Sequence, residues 1–584
     1  MVRATLDAEQ AMTILIGDES RPLRGRGLLA LVDQATISHT RAIMVLVFVA
    51  LLAFLPGFFQ IPPVDRDEAR FAQAAKQMLE SGDYIDIRFQ ETSRYKKPVG
   101  IYWLQAGVVK VAETVGIPDA RNTIWLYRIP SLAGAVGAVL LTYWAALAFV
   151  SQRAAVLAGL MLAGSILLGV EARLAKTDAM LLVTVVAVMG ALGRVYLGEH
   201  GAHGKTFSNW KLPAIFWTAL AGGVLLKGPL ILMLVGLPIL VLSAMDRSLR
   251  WMRSLKPVYG MIWMLALVLP WFLAIVARSG VDFFISSIGQ DLLPKIASGQ
   301  ESHGAPPGLY LLLYWITFWP ASSLTLLSLP AIWAARREPG ARFLLAWLAP
   351  SWIVFEIIIT KLPHYVLPLY PPIAILLAGV VNNNALASGR WLIRSTVGWF
   401  VFSASVALLV IVGFIFVGHQ LGLLAWPLVA AATIFGLLAW WLFEADGAER
   451  SLLRAIMASI LLAFGIYGVT IPTLGVLFPS ALIADHLKGV DCDRPLLTAA
   501  GYHEPSLVFL LGTQTLLADG ARAADFLKQG GCRFAAIENR QGRSFALRME
   551  ALDVRYVLEA RIDGINISGI RPISIAIYRT ESAP

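Results

Sequence analysis

Fourteen apolar blocks divide the sequence, at roughly 42–59, 99–112, 129–150, 154–170, 179–197, 213–226, 229–244, 258–277, 308–333, 343–360, 365–380, 394–417, 423–443 and 452–472. Most reach the ~17–25 residues that a helix needs to cross a bilayer. Hydrocarbon offers no partner to an open N–H or C=O, so such blocks must be spanning helices packed as a bundle. The chain is 57% hydrophobic and 15% charged, which excludes an ordinary soluble protein. Its net charge of +10 reads as positive loops on the cytoplasmic side, not as a nucleic-acid surface. Residues 1–40 hold no early apolar core, so the first block reads as a signal anchor instead of a cleavable leader.

Loop charge orders the blocks. Arg153, Arg194 with Lys205 and Lys211, the Arg247–Lys256 run, Arg336/Arg337/Arg342, Arg390/Arg394 and Arg450/Arg454 fall in alternate short loops. Those loops are expected to be cytoplasmic. The alternation closes only if block 99–112, which is short and carries Tyr102, Trp103, Gln105 and Lys110, lies in the interface instead of crossing. The expected fold is an α-helical polytopic bundle of about 13 spans. It comprises a cytoplasmic arm at 1–41, a membrane domain at 42–477 with a first outside loop at 60–128, and an outside domain at 478–584. The last reads as a small α/β domain, with β-rich runs at Leu507–Leu511, Phe534–Ile537 and Ile573–Tyr578 and helix-like stretches at Ala521–Lys528 and Ser544–Leu552. The two cysteines, Cys492 and Cys532, are too few for a metal cage, and a single bridge stays open to them in an oxidising compartment.

The chemistry-bearing residues gather in the outside loops. In DRDEARF, Asp65 and Glu68 stand in the i, i+3 relation of a capping box. That leaves Asp67 unexplained and makes it the candidate general base. The helix after it would bury one face, formed by Phe71, Ala75, Met78 and Leu79. In RYKKP, Lys96 and Lys97 precede Pro98 and suit either interfacial snorkelling or a phosphate contact. EARLAKTDAM carries Glu171, Arg173, Lys176 and Asp178, and Asp178 could be a helix cap or part of the site. Lys227 stands in a Lys-Gly-Pro turn, and Lys361, His364 and Tyr365 meet the membrane together. The loop 290–308, with His303, is long enough to close over a site. No His/Cys pair stands at ligand spacing, so no metal ligands are assigned, though a divalent cation gathered from separate loops stays open. There is no glycine-rich phosphate loop, which argues against nucleotide sugars or ATP.

In this order, Asp67-Glu68-Ala69-Arg70-Phe71-Ala72, Lys97-Pro98, Tyr102-Trp103-Leu104, Asp178, Leu225–Pro229 and Lys361…Tyr365…Pro368 resemble the membrane glycosyltransferases of the GT-C fold. The similar branch holds the lipid A aminoarabinose transferases and, more distantly, the protein O-mannosyltransferases. The resemblance covers about residues 42–380. It implies two juxtamembrane helices in the first outside loop and transfer of a sugar from a polyprenyl (undecaprenyl) phosphate donor. The acceptor it implies is a glycolipid such as lipid A or the lipopolysaccharide core, reached at the periplasmic face of the cell inner membrane. Asp67 and Asp178 are its catalytic acids, and Lys97, Lys227 and Lys361 its phosphate contacts. Glu68, Arg70, Tyr95, Lys96, His303 and Tyr365 are expected to bind substrate. Lys96 stands where aminoarabinose transferases commonly have glutamate, which favours an acidic sugar over an amino sugar. A protein O-mannosyltransferase-like enzyme and a flippase of polyprenyl-linked sugars remain alternatives.

Overall fold

The computed structural model describes residues 27–200, 210–292, 304–389, 392–394, 398–402, 404–409, 425–492 and 494–581. Among the described residues six helices are long and apolar enough to cross a membrane: Ile124–Ala146, Asp178–Glu199, Pro257–Ser279, Pro339–Ile357, Pro363–Asn382 and Ala448–Thr473. The block expected at 308–333 is broken into Leu309–Thr317 and Ala321–Arg337, which meet at 113°. Shorter apolar helices, among them His39–Phe54, Gln152–Ala163 and Leu230–Asp246, complete the bundle. Pro257–Ser279 leaves Ile262, Trp263 and Leu273 exposed, as a lipid-facing helix should. Ile124–Ala146 and Asp178–Glu199 instead form the centre, where Val139, Leu182, Val185 and Met189 are fully buried.

Of the arm expected at 1–41, the structure describes residues 27–41. Leu28–Thr36 is a helix that buries Val32 and Ala35. Arg153 holds it by ion pairs to Asp33 at 2.5 Å and to Glu449 at 2.7 Å. Its ALV--A spacing is helical, but nine residues are too few to declare a core-facing helix from sequence.

Two helices lie in the first outside loop, Asp67–Ser81 and Gly100–Thr114. Between them β1 (Arg88–Phe89) and β2 (Thr92–Ser93) form a small hairpin. Ala-rich DEARFAQAAKQMLES is a strong helix former, with acids at its positive end and Gly82 closing it at φ 72°. Beyond the expected apolar face, Gln73 and Lys76 are buried too. The C-terminal domain covers that second side, so a one-faced helix is sandwiched. Gly100 sits where a Cβ would fall 2.7 Å from the Leu225 carbonyl oxygen. This close approach sets the Lys97-Pro98 segment against the end of the helix that carries Lys227.

The C-terminal domain is a mixed five-stranded sheet in the order β4-β3-β5-β7-β6, formed by β3 (Leu496–Ala500), β4 (Leu516–Ala518), β5 (Arg533–Glu538), β6 (Tyr556–Asn566) and β7 (Arg571–Thr580). β3 runs parallel to β4 and β5, and β7 antiparallel to β5 and β6. The strands expected at Phe534–Ile537 and Ile573–Tyr578 and the helices near 521–528 and 544–552 are present. Leu507–Leu511 is a helix, not a strand: it belongs to Pro505–Leu511. An unbroken apolar run has no period to distinguish the two, and Pro505 in the first turn favours the helix. Cys492 and Cys532 form a disulfide across 40 residues, with Cα atoms 6.0 Å apart. Removing it by Cys532→Ser should cost the domain up to about 4 kcal/mol on loop-closure grounds. Thermal unfolding of the detergent-solubilised protein checks this, and added reductant should lower the transition of the parent but not of the variant.

Candidate active site

The site begins with a charge pair that is entirely buried. Glu68 and Arg128 meet in a two-pronged contact, Nε to Oε1 at 2.7 Å and Nη2 to Oε2 at 2.9 Å, each side chain 1% exposed. The remaining valences are filled by backbone. Glu68 accepts from the Val64 and Ala175 N–H groups at 2.8 and 2.9 Å. Arg128 donates to the carbonyls of Phe58, Ile61 and Pro62 at 2.8–3.0 Å. The expected capping box is therefore not formed. Glu68 reaches sideways into the bundle, and Asp65 turns to the C-terminal domain, accepting from the Ser506 N–H at 3.1 Å and the Tyr502 hydroxyl at 3.5 Å.

A second cluster forms where three helices end. Asp178 is the first residue of its helix, and the capping position is held by Thr177, whose side chain makes no cap hydrogen bond. Lys227 is the last residue of Lys211–Lys227, and its ammonium pairs with Asp178. Each charge sits at the helix end whose dipole favours it. Lys176 bridges Glu171 at 3.2 Å and Asp178 at 3.8 Å, and His364 lies 3.7 Å from Glu171 and 3.9 Å from Asp178. The ring of Tyr365 lies 5.2 Å from the Lys227 ammonium. Gly134 lets the helix Ile124–Ala146 approach Ala179, where a Cβ would fall 2.8 Å from its carbonyl carbon. That approach lets the Ser131 hydroxyl donate to the Lys176 carbonyl at 3.0 Å.

Both clusters line one cavity of about 320 Å³. Of the expected residues, Asp67, Glu68, Lys96, Lys97, Asp178, Lys227 and Tyr365 line it. Asp67 is exposed to it, and among the described residues no donor reaches its carboxylate. Lys361, Tyr95 and Arg70 do not line it. The Lys361 ammonium donates to the carbonyls of Glu356 and Ile358 at 2.8 and 2.6 Å and of Phe355 at 3.3 Å. It thus closes the negative end of Pro339–Ile357, which accounts for its charge without a phosphate. Tyr95 is buried, its hydroxyl donating to Asp86 at 2.8 Å. His303 lies outside the described residues.

Three residues of the site escaped the sequence reading. Arg128 sat at the edge of an apolar block, and a buried cation there announces an acidic partner. Arg66 and Arg94 lie within the DRDEARF and RYKKP motifs but were given no role there, and both line the cavity. Arg66 holds φ 68°, a left-handed conformation that is costly for a side-chain-bearing residue.

Ligand-capable atoms of Glu171, Asp178 and His364 lie within 4.8 Å of one another. The same carboxylates already hold the Lys176 and Lys227 ammoniums, so a divalent cation entering there meets like charge. This trio does not suit a metal. At the domain boundary, burial and the nearby Glu504 carboxylate push Asp65 up from 3.8 to about 7.

No protein-family model matches the chain. It is 26% identical over 358 residues to the undecaprenyl phosphate-alpha-4-amino-4-deoxy-L-arabinose arabinosyl transferase of Pectobacterium carotovorum subsp. carotovorum, 61% of each chain. To the protein of that name in Pseudomonas aeruginosa (strain UCBPP-PA14) it is 29% identical over 338 residues, 56% of this chain and 58% of the other. The match thus spans about three fifths of these relatives' length. The crystal structure of ArnT from Cupriavidus metallidurans superposes with a TM-score of 0.70 at 19% identity, covering 92% of this chain and 98% of that one. Its undecaprenyl phosphate-bound form gives 0.69 at 20%, with the same coverage. The chain has the GT-C fold. It is a multi-pass membrane protein, and two residues lining the cavity, Asp65 and Arg66, contact the C-terminal domain at Ser506 and Ser568.

Two outcomes follow. Arg128→Met strands the Glu68 carboxylate in the interior and should cost about 3–5 kcal/mol, read as a lower thermal transition or loss of monodisperse protein in detergent. Asp65 holds its proton more tightly folded than unfolded, so its contribution to stability declines as pH rises from about 4 to about 7. Asp65→Asn mimics the protonated acid. It should raise the thermal transition relative to the parent at pH 8 and leave it unchanged near pH 4.

Proposed function

We propose that the chain is a glycosyltransferase that moves a sugar from a polyprenyl-phosphate donor to an acceptor at the periplasmic face of the inner membrane. The observation that carries this reading is the presence, in one cavity, of the unengaged Asp67 carboxylate together with the ammoniums of Lys97 and Lys227, the latter held by Asp178. Displacement at an anomeric carbon needs both, a base for the incoming hydroxyl and positive charge for the departing phosphate. The likeness to ArnT bound to undecaprenyl phosphate supports a polyprenyl carrier. The names of the curated relatives support sugar transfer.

Asp67 accepts the proton of the acceptor hydroxyl as its oxygen attacks C1. The C1–O bond to phosphate breaks, and its electron pair leaves with the polyprenyl phosphate. Lys227, held in place by Asp178, and Lys97 take up the charge on that leaving group. Asp178 acts here through Lys227, as a positioning residue. The acceptor best fitting an outer-face site is a glycolipid, lipid A or the lipopolysaccharide core.

In proteoliposomes, Asp67→Asn should lower the transfer rate by about 10²–10⁴-fold, while undecaprenyl phosphate still raises the thermal transition of the variant. Turnover at the parental rate would remove Asp67 from the mechanism.

A further inference from the structure

Among the described residues four acids line the cavity, and three are already engaged. Glu68 is spent on Arg128, Asp178 on Lys227, and Asp65 on the Ser506 N–H and Tyr502. An ammonium on the transferred sugar would therefore find only Asp67, the proposed base. Positive charge is distributed differently. Arg66 and Arg94 line the same cavity, and among the described residues neither guanidinium pairs with an acid. Arg66 makes one long contact, to the Ser568 carbonyl at 3.4 Å. Arg94 lies over the Phe71 ring at 5.2 Å, and its Nε is buried without a hydrogen-bond partner.

Their placement matters more than their charge. Arg66 is the chain neighbour of Asp67. Phe71 stands four residues after Asp67 and so shares its helix face. Both guanidiniums thus line the same cavity as the carboxylate beside which the anomeric carbon must sit. The lysines set aside for phosphate line the wall formed by the helix ends at 178 and 227 and the Lys-Pro segment. Point-charge ammoniums suit a phosphate that changes charge during reaction, and planar forks suit a carboxylate of fixed geometry. The left-handed backbone of Arg66 marks a position where glycine would be cheaper, yet a guanidinium is present.

Resting on the glycosyltransferase reading, we propose that Arg66 and Arg94 bind a carboxylate on the sugar being transferred, so that the donor is a polyprenyl-phosphate uronic acid. The reaction is otherwise as above: the acceptor oxygen bonds to C1, the polyprenyl phosphate leaves with the electron pair, and the carboxylate is carried over unchanged.

The test uses the full chain in proteoliposomes with three donors on one polyprenyl phosphate: a hexuronate, a neutral hexose and a 4-amino-4-deoxypentose. Each is offered to a phosphorylated and a dephosphorylated lipid acceptor. The parent should prefer the uronate. In Arg94→Gln and Arg66→Gly the uronate-to-hexose ratio of kcat/KM should fall about 10- to 100-fold, as for a lost charge-assisted contact. Arg94→Lys, which keeps the charge without the fork, should fall between. The parent's own preference decides the matter if a variant fails to fold. Preference for the hexose or the amino sugar, or an unchanged ratio in both arginine variants, would overturn the proposal. So would a loss confined to the phosphorylated acceptor, which would assign the arginines to the acceptor's phosphate. Failure to transfer any of the three sugars would instead refute the glycosyltransferase reading itself.

Discussion

The Glu68–Arg128 pair is the contact on which the site depends. Two charges with 1% exposure each carry a desolvation penalty of several kcal/mol, which their attraction offsets only if every remaining valence is filled. Here the filling groups are backbone atoms of residues 58, 61, 62, 64 and 175. The first outside loop, the juxtamembrane helix, the span Ile124–Ala146 and the segment before Asp178 are thus tied at one point. The pair also explains why two adjacent acids behave oppositely. Glu68 points inward and is consumed by structure. Asp67, one residue earlier and rotated by about 100° on the helix, points into the cavity and is not.

A second set of contacts holds the same helix from the other side. Gln73 donates to Thr513 at 2.7 Å and Lys76 to the Phe509 carbonyl at 2.9 Å, while Tyr127 meets Phe509 edge to face. The C-terminal domain is therefore more than an appendage outside the membrane. Its helix Pro505–Leu511 packs on the helix that carries Asp67, and the N–H of Ser506 holds Asp65. A carboxylate two residues from a domain contact is aimed by that contact. This gives the bundle a reason to keep a folded domain over its open end.

The sequence made the bundle legible because its signals are summed over long blocks. Fourteen apolar runs and alternating loop charge survive the misreading of any one element. The cavity lining was legible where a charge has no partner within its own segment, as at Asp67, and illegible where its partner is distant in the sequence. Lys361 reads as a phosphate ligand until the helix end Phe355–Ile358 is seen to lie within its reach. Tyr95 reads as a sugar contact until Asp86 is found against its hydroxyl. Asp65 and Glu68 have the spacing of a cap, yet one bonds a residue 441 positions away and the other one 60 positions away. Spacing reports only local partners, and these partners are set by packing. Arg128 was missed for the same reason: its value lies in what surrounds it in the fold.

On the proposed reaction, the inner cluster bears on how charge is handled. Glu171 and Asp178 are matched by Lys176 and Lys227, so the wall is near neutral before Lys97 is counted. A strongly positive wall would bind the donor and the released polyprenyl phosphate alike, and equal binding of both states does not speed the step between them. A balanced wall behaves differently. The ground-state phosphodiester, with one charge, gains little from an ammonium already shared with Asp178. The departing phosphate gains a second charge as the C1–O bond breaks, and it can then draw Lys227 from Asp178 without moving it far. Asp178, at the positive end of its own helix, tolerates that loss because the helix dipole and Lys176 still face it. The ion pair thus places a cation where charge develops while limiting its grip beforehand, which is what preferential stabilisation of the transition state requires.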